Sequence, residues 1–228
     1  MFALNLVSYL MTNEQIERQL LWSSLTSLGS YSKLNLFIDE QEVIKDIEPY
    51  RDFWVPYNNK KDVVNNRWGL PITSRTGAVS DNMHLNSFGY MQRELGIELK
   101  EENFNTPTEV YHNSNEIKRV VDIFMPHIGR VHLLRVDQGG FFPPHRDFPG
   151  LSPEYFRITC MFGNCSDFNY SMHLHDNIFR PERNHLYFVN YQQNHNVFSF
   201  SNNLYILLIT VKLNQETHDL IIKHSMAR

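Results

Sequence analysis

Between Arg130 and Val211 the chain reads as a succession of short strands: RVHLLRV, RITCMF, FNYSMHLH, HLYFVN, HNVFSF and LYILLITV. Gly, Asn, Asp and Pro break the series at short intervals. Strands this short and this closely spaced cannot carry the crossover helices that parallel sheets need, so they specify an antiparallel sandwich or barrel. The 42% hydrophobic and 13% aromatic content is enough for a packed core. At 228 residues the chain has room for one sizeable core. We find no internal repeat, low-complexity segment or linker to a second domain, and expect a single domain over 1–228.

The chain before the strands is mixed. Residues 1–10 read as a strand. NEQIERQLLWSSLTSL opens a helix at Asn13 with Ile16, Leu20, Leu21 and Leu25 at helical spacing, stopped near Gly29. SKLNLFI (32–38) suits a short strand. DEQEVIKDIEPYRDFW suits a helix ending before Pro49, with Ile44 and Ile47 on its core face. Residues 56–66 are polar and turn-rich. RWGLPIT (67–73) suits a strand near a pocket, where Arg67 and Trp68 are either substrate contacts or, for Trp68, plain core. The loop 74–89, rich in Gly, Ser and Asn, is long enough to act as a substrate lid or only to connect. A short helix over 88–95 follows. Ser114 or Asn115 then caps NEIKRVVDIFMPHIG, whose Ile117, Val120, Val121 and Phe124 form an apolar stripe suited to packing outside a barrel. The expected division is an extension over 1–110, a β core over 111–213 and a tail over 214–228.

The chemistry concentrates in RVHLLRVDQGGFFPPHRD, Arg130 to Asp147. A histidine and a carboxylate two apart on extended backbone share a face, so His145 and Asp147 can hold one metal together. His195, in NYQQNHNVFSF, is the candidate third ligand. Two histidines and one carboxylate make the facial triad of non-heme Fe(II) oxygenases, with open positions left for co-substrate and dioxygen.

On these residues the chain resembles the Fe(II)/2-oxoglutarate-dependent dioxygenases. The stretch LLRVDQGGFFPPHRD is similar to prolyl hydroxylases. The strand Arg157-Ile158-Thr159-Cys160 is similar to the aspartyl/asparaginyl β-hydroxylases and free-proline hydroxylases. The resemblance covers about residues 115–213. It implies a mainly β fold with flanking helices (α+β) around a double-stranded β-helix, the jelly-roll or cupin-like architecture. It implies Fe(II) on His145, Asp147 and His195, and 2-oxoglutarate as co-substrate. The expected reaction decarboxylates the co-substrate to succinate and hydroxylates an amino-acid side chain, free or in a peptide or protein.

One departure from the family stands out. Members carry a basic residue at the start of the strand after the distal histidine, where it meets the far carboxylate of 2-oxoglutarate. Here that segment is SFSNNLY (199–205), with no basic residue, and Lys212 lies near the strand's far end. The resemblance makes Arg157 the leading anion anchor, since guanidinium pairs bidentately with carboxylates. His173 and His175, in a second H-x-H, are expected to share a face, as a second metal pair, as co-substrate contacts or as residues of an outer sheet face. Ser199, with Ser201, Asn203 and Tyr205, offers weaker hydrogen bonds where the arginine is missing. Arg135 faces either the pocket or the outside. Arg180 and Arg183 are expected in solvent.

Two other classes stay open: a jelly-roll binding module without catalysis, and a cupin-like metalloprotein that does not use 2-oxoglutarate. The net charge of −4 has no long run of either sign, which argues against a nucleic-acid surface or an anionic-membrane binder. Cys160 and Cys165 are too few for a disulfide framework and are expected as reduced thiols in a cytoplasmic protein. The segment MFALNLVSYLM lacks the basic start and cleavage site of a signal peptide, and no run suits a membrane span.

Overall fold

The structure is a computed structural model describing residues 11–57, 66–148 and 150–225. The strand expected over 1–10 lies outside the described residues, as does most of the polar stretch 56–66. Helix α1 (Asn13–Ser27) and strand β1 (Tyr31–Phe37) lead into α2 (Glu40–Ile47), which tightens into a 3₁₀ turn at Pro49. Short strands β2 (Val55–Pro56), β3 (Arg67–Pro71) and β4 (Thr73–Ser74) follow. Then come α3 (Phe88–Leu95), β5 (Thr106–Pro107), α4 (Glu109–Asn113) and α5 (Asn115–Val121).

The remaining strands are β6 (Ile128–Val136), β7 (Phe141–His145), β8 (Tyr155–Gly163), β9 (Tyr170–Leu174), β10 (Asn177–Ile178), β11 (His185–Val189), β12 (His195–Ser199) and β13 (Leu204–Lys212). A final helix, α6, spans Gln215–His224. The large sheet has the order β1-β11-β8-β13-β6-β3-β2 and the small sheet the order β10-β9-β12-β7. Strands β6 to β13 thus divide four to each sheet, and their pairings are antiparallel. This is the double-stranded β-helix, with β1, β2 and β3 widening its large sheet.

Alternation along the large sheet separates two cores. One face carries Val131, Leu133, Ile158, Phe162, Phe188, Leu207 and Ile209, packed with residues of the surrounding helices. Helix α5 supplies Ile117, Val120 and Val121, and Phe124 follows in the adjoining 3₁₀ turn, so the expected stripe does pack outside the barrel. The other face carries Leu134, Met161, Val189, Ile206 and Leu208 against Met172, Leu174 and Val197 of the small sheet. Both faces are covered, which is why LYILLITV reads as a continuous apolar run without alternation.

One expectation needs correction. In α1 the buried residues are Leu21, Trp22 and Leu25, while Ile16 and Leu20 are exposed. Trp22 takes the core position because its ring meets Phe188 edge-on, 5.7 Å between centroids. The loop 74–89 is anchored along its length, and its end, Ser87 to Gly89, lines the cavity described below. Asp81 accepts from the Thr76 backbone and hydroxyl at 3.0 and 2.9 Å, β4 pairs with β5, and Val79, His84 and Leu85 are buried. Both cysteines are free and buried, and burial pushes their thiols up, Cys165 to about 11. Among the described residues no helix is long and apolar enough to cross a membrane.

Candidate metal centre

Strand β7 is the edge of the small sheet. Its Pro143 and Pro144 can occupy an edge because a lost N–H there breaks no ladder bond. The turn before it requires glycine: a Cβ on Gly140 would lie 2.5 Å from the Asn66 carbonyl oxygen. Across the ladder His145 stands opposite His195 of β12, with ring centroids 4.1 Å apart. Just past β7, the Asp147 backbone N–H donates to the Tyr191 carbonyl at 2.8 Å and holds the carboxylate beside both rings. The Gln192 side chain pins the next residues by donating to the Phe148 and Gly150 carbonyls, each at 2.7 Å.

The three side chains offer one ligand atom each within 4.8 Å of one another. His145 Nε2 is 3.7 Å from Asp147 Oδ1, and His195 Nε2 is 3.9 Å from Oδ2. Each histidine turns Nδ1 to a backbone carbonyl, Pro143 at 2.7 Å and Gln193 at 3.0 Å. Those bonds place the proton on Nδ1 and leave the Nε2 lone pairs converging on Asp147, the arrangement a metal requires. Burial, then the neighbouring His145, lowers His195 to about 4, so its ring is neutral at pH 7. For Asp147, burial pushes upward, but Arg157 and the two histidines together outweigh it and hold the carboxyl below its usual range. The donor set of imidazole and carboxylate suits Fe(II) or Mn(II).

The triad opens on a cavity of about 460 Å³, within the ~300–1,000 Å³ range of small-molecule sites. Leu134, Met172, Val197, Ile206 and Leu208 form its apolar wall. The aromatic rings of Tyr57, Phe88, Phe142 and Phe148 also line it. Arg157, on β8, reaches this cavity, but its Nη1 donates to Asp147 Oδ2. Burial works against its charge, and Asp147 more than restores it. Its Nε is buried without a partner.

The other expected co-substrate contacts lie elsewhere. On β9, Tyr170, Met172 and Leu174 point inward, so alternation turns His173 to the outer face, where Nδ1 meets Asn196 Oδ1 at 3.1 Å. His175 has left the strand, at φ 55°, and its exposed ring pairs with Asp176. Neither lines the cavity, and the expectation of a shared face is corrected by the turn between them. Ser199 is buried, but its hydroxyl donates to the Ser201 carbonyl at 2.6 Å and shapes the turn into β13. Tyr205 faces the helices, stacked on Phe162 at 5.2 Å. Strand β13 presents Ile206 and Leu208 to the cavity, so no cation comes from it. Arg135 faces outward, over Trp54 and Trp68, and neither Arg135 nor the half-buried Trp68 lines the cavity. Arg67 sits over the Phe142 ring at 4.4 Å.

The buried ion pair that lines the cavity was missed. Arg130 and Glu101 form a buried bidentate pair, Nε to Oε2 and Nη2 to Oε1 at 2.8 Å each, with Arg130 Nη1 donating to the His84 carbonyl at 2.9 Å. A charged residue inside the apolar run RVHLLRV was the available signal for Arg130. Glu101 sits in a 3₁₀ turn far from the motif and gave none. Between Arg130 and Leu134 on the same face lies His132, fully buried, both ring nitrogens unpartnered. Thr210 Oγ1, opposite Arg157 in the ladder, is also buried and unpartnered.

No family model matches the chain, and no curated protein matches it. Solved structures do. A 2OG-Fe(II) oxygenase family oxidoreductase from Burkholderia pseudomallei is similar at 15% identity and TM-score 0.46, over 85% of this chain and 90% of that one. KdgF from Halomonas sp. aligns at 10% identity and TM-score 0.31, over 41% and 77% of the two chains. A cupin 2 domain-containing protein from Halorhodospira halophila aligns at 11% identity and TM-score 0.30, over 46% and 74%. The assignment of the fold rests on the strand order.

Proposed function

We propose that this chain is an Fe(II)/2-oxoglutarate-dependent dioxygenase that hydroxylates an amino-acid side chain, free or in a peptide. The observation that carries the reading is the convergence of His145 Nε2, His195 Nε2 and Asp147 at the cavity, with each Nδ1 committed to a carbonyl. Bound there, Fe(II) with 2-oxoglutarate would supply dioxygen activation and oxidation of an unactivated C–H bond. The chain's part is to hold and orient. The Pro143 and Gln193 carbonyls fix the two imidazole planes. Arg157 keeps Asp147 ionised and aimed at the same point as the rings. Tyr191 backs His195, 4.6 Å between ring centroids, and its hydroxyl is held by Thr159 at 2.8 Å. The apolar wall excludes water from the reacting centre.

The charge balance supports a co-substrate with two negative charges. Asp147 with Arg157, and Glu101 with Arg130, are two buried neutral pairs. A divalent ion adds two positive charges in a low-dielectric cavity, which a dianion such as 2-oxoglutarate neutralises.

One observation favours the second reading, a cupin-like metalloprotein without 2-oxoglutarate. Both buried arginines that line the cavity are already paired, and β13 brings no further cation to it among the described residues. An anaerobic titration with Fe(II), then 2-oxoglutarate, separates the two. A saturable visible charge-transfer band is expected for a chelated keto acid. Iron binding without the band supports the cupin-like metalloprotein, and no iron binding supports the binding module.

A further inference from the structure

Resting on the metal-centre reading, we infer that the turn 191–193 acts as one brace for the carboxylate and the distal histidine, and that Gln192 is its positioning residue, setting how tightly a divalent ion is held. The turn joins β11 to β12, and each of its three residues holds a different part of the centre. The Tyr191 carbonyl accepts from the Asp147 backbone N–H at 2.8 Å. The Gln193 carbonyl meets His195 Nδ1 at 3.0 Å. Between them the Gln192 amide, with two N–H donors on one nitrogen, serves the Phe148 and Gly150 carbonyls at 2.7 Å each. The turn is itself fixed from behind. Asn190 Oδ1 accepts from the Gln192 backbone N–H at 3.2 Å, and the Asn190 carbonyl accepts from that of Gln193 at 3.1 Å. The Tyr191 ring is buried, its hydroxyl paired with that of Thr159 at 2.8 Å.

The need for Gln192 lies in the backbone after Asp147. Phe148 has φ 48°, in the left-handed region, where a bulky side chain is strained. Such a conformation persists only where the surrounding structure over-determines it. The Gln192 amide supplies that hold, and the ring it fixes lies against the Arg157 guanidinium, 5.2 Å from the ring centroid. Arg157 in turn is bonded to Asp147 Oδ2. The carboxylate is therefore aimed from two sides, by its own backbone and by an arginine packed on Phe148. With the amide removed, Phe148 relaxes toward negative φ. That relaxation turns the peptide next to Asp147 and frees the ring from Arg157. The carboxylate then moves off the point where His145 Nε2 and His195 Nε2 meet it, at 3.7 and 3.9 Å. Metal–ligand distances tolerate only ~0.2 Å, so a small displacement is felt as affinity. Gln192 does not line the cavity, and its amide bonds backbone carbonyls and no ligand atom, so it acts through the residues it holds.

The test uses the full chain, metal-free, titrated anaerobically with Mn(II) alone, the unbound ion being read by electron paramagnetic resonance. Gln192→Met keeps the length of the side chain and removes both donors. Its Kd for Mn(II) should rise about 10–100-fold, the effect of losing a group that orients a metal ligand. The Asp147 amide should also exchange hydrogen faster in the metal-free variant. A merely structural role is separated by Asn164→Ala, which removes an amide-to-carbonyl bond of 2.8 Å to Asn202 at the far end of β8. That variant should keep the Mn(II) affinity of the wild type. Gln192→Asn retains the amide but shortens its reach; it should show a smaller loss of affinity, and it carries the test where Gln192→Met does not fold. Wild-type affinity in folded Gln192→Met, or in Gln192→Asn standing in for it, overturns the inference. An equal loss in Asn164→Ala does so too. Failure of the metal reading is seen separately, as a wild type that takes up no Mn(II), and it removes the inference with it.

Discussion

Replacing Glu101 by leucine should be among the most damaging single changes near the cavity. The carboxylate and the Arg130 guanidinium are 3% and 5% exposed, and two bonds of 2.8 Å join them. Removing one partner of such a pair leaves a buried charge without compensation, worth about 3–5 kcal/mol. For a domain of this size each kcal/mol moves Tm by roughly 2–4 °C, so Glu101→Leu should lower Tm by roughly 6–20 °C. The pair itself is not the source of that number, since making it also strips water from two ions. The double variant Glu101→Leu/Arg130→Met should therefore recover much of the loss. Recovery stays incomplete because Arg130 also satisfies the His84 carbonyl at 2.9 Å, an unmet acceptor worth ~1–3 kcal/mol, and lies over the Phe88 ring at 4.1 Å. Urea unfolding of the metal-free wild type, both single variants and the double variant completes the cycle. A single-variant loss under about 1 kcal/mol, or a double variant worse than either single, would refute the reasoning.

Three further outcomes are expected. His145→Ala and His195→Ala should each abolish stoichiometric Fe(II) binding by titration while circular dichroism stays unchanged; retained stoichiometric binding in either places the metal elsewhere. His84 is lowered to about 3, by burial first and by the Arg130 charge second. In the unfolded chain it titrates near 6.5, so below that pH the unfolded state binds the extra proton and stability drops by up to about 1.4 kcal/mol per pH unit, down to about pH 3. Urea midpoints from pH 7 to 5 should fall, and His84→Phe should flatten the slope; an equal slope in the variant removes His84 as the cause. Thr210→Val removes a buried hydroxyl that has no partner. It should leave Tm unchanged or higher. A clear drop in Tm by calorimetry would show that the hydroxyl is satisfied in the fold.

The strands were legible because the signals that define them are local. Turn residues cut the sequence between Arg130 and Val211 into segments, and every one of those segments is a strand in the structure. The juxtaposition of His145, Asp147 and His195 was legible for the same reason: the first two are two apart, and His195 opens a strand. What the sequence concealed depends on which side of a sheet a residue occupies, and on partners brought from far along the chain. H-x-H looked like a pair on one face, yet the strand ends between His173 and His175. Arg157 looked like a free anion anchor, yet it is bonded to Asp147. Glu101 reaches Arg130 only because the turn over 101–104 folds across β6, a relation with no local signature.

The two faces of the large sheet divide stability from chemistry. On β8, Phe156, Ile158, Cys160 and Phe162 join the helix-facing core, while Arg157 lines the cavity and the Thr159 hydroxyl meets the cavity-lining Tyr191. On β6, Val131 and Leu133 belong to that core, and Arg130 and Leu134 line the cavity with His132 between them. A one-residue slip would exchange the two sets and put arginine and histidine against the helices. The unpartnered polar atoms of His132, Arg157 and Thr210 are therefore tolerated at a known expense, ~1–3 kcal/mol each, on the face that has something to gain from them. An apolar interior would be cheaper for folding alone. Retaining these groups where the His145, Asp147 and His195 cluster and both buried ion pairs also sit is the pattern expected of a cavity shaped for a polar ligand, with the helices of the N-terminal half supplying on the opposite face the stability that the inner face gives up.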